Sequence, residues 1–116
     1  METINRTAVT ITFKEKFVEW INQLPDRSDL VFTLEMLNES KPVYLIPNHE
    51  DDDKDRNWFN KRKAEFLEEA FESICTEPRW WPEIKSARTF DEYLLAEFSC
   101  MVWDSVENEP LERDVY

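Results

Sequence analysis

The chain has 116 residues, with 14 Lys and Arg against 26 Asp and Glu, a formal net charge of −12, no Gly, two Cys and one His. One domain is the natural content of that length, and an apolar fraction of 41% with 14% aromatics supplies enough core to offset chain entropy, so a disordered polyelectrolyte is excluded. The negative charge repels nucleic-acid phosphates and anionic lipid head groups, which argues against direct nucleic-acid or membrane-surface binding.

No apolar run approaches the roughly 18 residues of a spanning helix. Met1–Arg6 lacks a basic segment followed by an apolar one, so a cytoplasmic setting is expected. Cys75 and Cys100 lie in apolar runs without zinc-ligand spacing, and the expectation is two buried free thiols.

Thr7–Phe13 alternates, placing Val9, Ile11 and Phe13 on one side, and predicts a half-buried first strand. Thr12 stands at capping-box spacing before Glu15, and Phe17, Trp20, Ile21 and Leu24 recur at helical intervals, so a helix is expected over 14–23, stopped by Pro25. Asp26–Asp29 is turn material, and the residues from Leu30 to Leu37 fit a short helix or an extended piece, with a short helix near 32–39 favoured. Val43–Ile46, bracketed by Pro42 and Pro47, is a continuous apolar run of the kind expected in a central strand covered on both faces.

Asp55 is placed to cap the longest helix, expected as one rod over 56–75. Half of its cylinder is apolar, through Phe59, Leu67, Ala70 and Phe71. The other half carries Glu65, Glu68, Glu69 and Glu72, together with Lys61 and Trp58. Thr76–Ser86, with Pro78, Trp80, Trp81 and Pro82, is a rigid aromatic connector in which one Trp packs inward and the other sits at a rim. Thr89 and Glu92 repeat the capping-box spacing and launch a further helix through Leu94. Residues 97–104 fit helix or strand, and the Val and Trp content favours a strand, before a charged, fraying tail from Glu107. The element order implies an α/β fold, with α+β as the alternative, built as a small three-stranded sheet with three to four helices packed on it in a single domain.

At Val43–Pro47, Trp80–Pro82 and Met101–Asp104 the chain resembles a family of short acidic bacterial proteins of unassigned function. The resemblance implies a bacterial cytoplasmic α/β domain and brings no catalytic motif.

Constellations of chemical interest are few. Asp51, Asp53 and Asp55 alternate as in a calcium loop, but the EF-hand pattern requires Gly and Glu where this chain has Arg56 and Arg62, so a solvated loop is expected and no metal or cofactor is assigned. His49 beside Glu50 and Asp51 lacks a nucleophile motif or a second imidazole, and no catalytic residue is assigned. Absence of Gly removes phosphate-cradling loops and nucleophile elbows, which need backbone without a Cβ close to the ligand.

The expected rod runs basic to acidic, from Arg56, Lys61, Arg62 and Lys63 to Glu65, Glu68, Glu69 and Glu72, against the preference of the helix dipole. Like-charge pairs four apart add about 0.2–0.5 kcal/mol of repulsion each. That conflict, with an indole on the same stripe, makes Trp58, Glu65, Glu68, Glu69 and Glu72 the candidate surface for a basic protein partner. The expected function is a non-enzymatic interaction module of immunity or inhibitor type. A nucleic-acid mimic is the alternative and a small hydrolase the third, with homodimer formation left open.

Overall fold

A computed structural model of the chain describes residues 1–25 and 31–114. The turn expected at Asp26–Asp29 therefore lies outside the described residues. A short β1 (Glu2–Thr3) leads into β2 (Arg6–Phe13), where the alternation becomes structure: Thr7, Val9, Ile11 and Phe13 are buried, and the residues between them face outward. β2 is the middle strand, pairing antiparallel with β3 (Val43–Pro47) on one side and β4 (Leu94–Ser99) on the other. β1 pairs antiparallel with β5 (Trp103–Asp104) in a separate two-stranded ribbon. Every pairing is antiparallel, so the fold is α+β, the alternative weighed for the sequence.

The helices are α1 (Glu15–Asn22), α2 (Leu34–Leu37), α3 (Asp52–Asn60), α4 (Lys63–Ile74) and α5 (Ala87–Tyr93), with a single 3-10 turn at Pro78–Trp80. Their apolar sides meet the inner face of the sheet in one core. Val9, Ile11, Phe13, Ile46 and Leu94 come from the strands, and Phe17, Ile21, Phe59, Phe71 and Phe90 from the helices. The core has two aromatic hubs: Phe59 stacks on Phe66 with centroids 4.6 Å apart and meets Phe90 and Phe98 edge-on at 5.5 and 5.4 Å, and Phe71 gathers Phe17, Trp20, Trp81 and Tyr93. No helix among the described residues is long and apolar enough to cross a membrane.

Four expectations are corrected. The apolar run at Val43–Ile46 is an edge strand and not a central one. With all helices on one face, Val43 and Leu45 point outward at 57% and 53% exposure. Thr12 does not cap α1, because its backbone is held in the ladder with β4; the N-cap of α1 is Lys14, whose side chain makes no capping bond. α5 is capped one turn earlier than expected, by Ser86 and Thr89 in a reciprocal box, which leaves Glu92 to pair with Lys16 at 2.8 Å. The strand reading of 97–104 holds, but β4 begins at Leu94, opposite Phe13, and ends at Ser99, and Trp103 belongs to the ribbon.

The two connector indoles divide as expected, Trp80 staying outside the core cluster with the Arg79 guanidinium 4.9 Å from its ring centroid. Trp81 packs against the core and donates from Nε1 to the Cys75 carbonyl at 2.7 Å, while the Trp80 carbonyl accepts from Trp20 Nε1 at 2.9 Å. Both cysteines are free, but Cys100 is exposed and Cys75 only half-buried, so neither is the buried thiol expected.

Candidate functional site

The largest correction concerns the rod. Residues 56–75 form parts of two helices, α3 and α4, separated at Lys61–Arg62. A continuing helix would hand the Trp58 carbonyl to the N–H of Arg62. Instead the Arg62 guanidinium donates to that carbonyl at 2.9 Å, and the Arg62 N–H moves to Phe59, also at 2.9 Å. A side chain inserted into the ladder is a recognised cause of a helix break. Nothing in residue type, neither Pro nor Gly, marked it.

The break also removes part of the charge anomaly. α3 now begins with Asp52, Asp53 and Asp55 in its first turn and is followed by Lys61 and Arg62, as the dipole prefers. Its cap is Asp51, whose carboxylate accepts from the N–H groups of Asp53 and Lys54 at 2.9 and 3.4 Å, and not Asp55 as the sequence suggested. Only α4 keeps the contrary order, with Lys63 at its start and Glu72 near its end.

Glu65, Glu68, Glu69 and Glu72 are all exposed on α4, and among the described residues none of them is in an ion pair. Trp58 is not on that helix. It is half-buried on α3, packs against the core, and carries the Arg62 guanidinium 3.9 Å from its ring centroid. The structure therefore brings the four glutamates together and leaves the indole engaged elsewhere.

Asp55 is the feature that sequence reasoning missed. Its carboxylate is 2% exposed and accepts three hydrogen bonds: from the Thr7 hydroxyl at 2.7 Å, the His49 N–H at 2.9 Å and the His49 imidazole Nδ1 at 2.6 Å. Burial, the largest single influence, pushes the carboxyl pKa up. The hydrogen bonds from Thr7 and His49, with the charge of His49, outweigh it and hold the group below its ordinary 3.8. An ionised carboxylate only accepts, so Nδ1 carries the proton in this contact. The arrangement ties the loop after β3 to α3 and to the middle strand. It has the form of an oriented imidazole, but Thr7, the only hydroxyl among the described residues bonded to Asp55, donates to the carboxylate and is buried at 1% exposure. The group reads as a latch. The signal that could have found it is Thr7, a polar residue at an inward position of an otherwise apolar strand face, which needs a buried partner.

Among the described residues, no group of three or more His, Cys, Asp or Glu side chains is placed to hold a metal ion. Two recesses of about 550 Å³ each are open surface depressions; one lies between Asn48, Glu50–Asp52 and Cys100–Met101 and the other beside the ribbon and tail. A scan against family models and searches of curated proteins and of solved structures return no match. The short landmarks at Val43–Pro47, Trp80–Pro82 and Met101–Asp104 thus carry no further argument.

Proposed function

We propose that this chain is a non-enzymatic protein-interaction module whose α4 presents an acidic face to a basic protein partner. One observation carries the reading: Glu65, Glu68, Glu69 and Glu72 stand exposed on one short helix and, among the described residues, none is in an ion pair. Neighbouring carboxylates without counterions repel one another and oppose the dipole at the end of α4, so a basic partner relieves a cost already present in the free protein. Trp58 is omitted from this surface, because core packing and the Arg62 cation already occupy its ring.

The test is affinity capture from a bacterial lysate at low and high salt, with Glu68→Lys plus Glu72→Lys compared against Glu35→Lys plus Glu39→Lys. Both doubles change the net charge equally, but only the first touches α4. Loss of a salt-sensitive partner with the first pair alone supports the reading. Equal capture by all three proteins, or equal loss with both doubles, refutes it.

A further inference from the structure

We infer that the free edge of β4 is a strand-addition site for an extended peptide that carries carboxylates on the side facing the helices and basic residues on the side facing away. The direction of the backbone groups follows from two bonds. Lys14 N–H donates to the Tyr93 carbonyl at 2.9 Å, and Ile11 N–H to the Pro42 carbonyl at 3.0 Å. With Phe13 opposite Leu94, antiparallel alternation directs the backbone groups of Leu95, Glu97 and Ser99 toward β2 and those of Ala96 and Phe98 away from it. β4 ends the strand order β3-β2-β4; at its start the Leu94 N–H is spent on the Phe90 carbonyl of α5, and among the described residues the outward backbone groups of Ala96 and Phe98 make no backbone bond. A row of unspent N–H and C=O groups is a template for another strand. The opposite edge is poorer, because Pro47 occupies an outward-pointing position of β3 and has no N–H to offer.

The surroundings of this edge define the occupant. Beside it lies a recess of about 190 Å³ whose wall includes Arg56, Asn60, Lys63, Phe90, Phe98 and one carboxylate, Asp91. Pockets for small ligands hold roughly 300–1,000 Å³, so this one has room for one or two side chains of a passing strand. Lys63 Nζ is held by Asp91 at 2.8 Å, whereas the Arg56 guanidinium, 4.6 Å from the Phe98 ring centroid, is in no ion pair among the described residues. An unpaired cation at an open strand edge, in a chain of net charge −12, complements a carboxylate.

Glu97 faces the other side of the sheet, between the exposed Leu95 and Ser99, and calls for a basic residue directly opposite. A second copy of β4 is a poor occupant. The two-fold register that uses both Ala96 and Phe98 sets Glu97 against its own copy.

The probe is a fluorescein-labelled octapeptide of alternating Glu and Lys, compared with a peptide of equal composition in two blocks and with the alternating peptide N-methylated along its bonding edge. The expected result is saturable binding of the alternating peptide only, with amide shifts in a nitrogen–proton NMR titration centred on Ala96 and Phe98. Arg56→Glu and Glu97→Lys should each weaken it about tenfold, roughly one good charge-assisted contact, and Arg56→Gln, which avoids introducing repulsion, by less. Glu68→Lys with Glu72→Lys should leave it unchanged, which separates this edge from the α4 face. Equal binding of the block or N-methylated peptide, shifts centred elsewhere, indifference to Arg56→Glu in a variant of native circular dichroism, or no binding at millimolar peptide would each overturn the inference.

Discussion

Replacing Asp55 with Ala removes the acceptor of three hydrogen bonds from beneath the helix layer. The Thr7 hydroxyl, on a residue 1% exposed, is left without its partner, and a stranded buried donor costs about 1–3 kcal/mol. His49 is exposed enough for its two N–H groups to turn to water, so each lost bond there is worth about 0.5–1.5 kcal/mol. Relief from burying a charge offsets part of the sum. A net loss of about 2–4 kcal/mol follows, read as a fall of the urea midpoint by about 1–2 M at an unfolding slope near 2 kcal/mol/M. The pH dependence has a definite sign. The native carboxyl titrates below its ordinary 3.8, so its contribution is fully present above that value and is lost as pH falls through the native pKa. Asp55→Asn keeps the shape and removes the titration. The stability gap between it and the parent should be level at about pH 5 and close at lower pH. A midpoint shift under about 0.3 M for Asp55→Ala, or a gap to Asp55→Asn unchanged down to about pH 2, would refute the latch.

Two further outcomes test the packing. Phe59→Ala should cost about 3–5 kcal/mol in chemical denaturation, because the ring is fully buried and three aromatic neighbours lean on it. Leu45→Thr, on the uncovered outer face, should stay within about 0.5 kcal/mol; a large loss there would mean that face is covered in solution. Asp51→Ala should cost about 1 kcal/mol and Asp53→Ala much less, since only Asp51 caps α3; equal effects would remove that assignment.

The elements that were legible are those whose information is local. β2 shows its buried face in its alternation, α1 shows its core side in the spacing of Phe17 and Ile21, and the connector shows in its paired indoles that one packs inward and one does not. Two features escaped because they depend on atoms distant in sequence. Thr7 meets Asp55 across 48 positions. The break between α3 and α4 turns on which of two donors on Arg62 takes one carbonyl, and no composition rule ranks those. The acidic face survives the correction only in part, because Glu65–Glu72 stayed on one helix while Trp58 fell on the other.

The linear chain by itself determined a globular acidic fold with three main strands and an aromatic core, since charge, apolar fraction and periodicity are sums over neighbours and do not depend on how segments meet. Tertiary structure alone decided which strand is central, which edges stay open and which carboxylate is buried. Those outcomes follow from the placement of every helix on one side of the sheet. That placement leaves the apolar Val43 and Leu45 outside and brings the charged Asp55 in against Thr7 and His49. Burial is a property of the assembled layers, and a residue's own polarity could not forecast it.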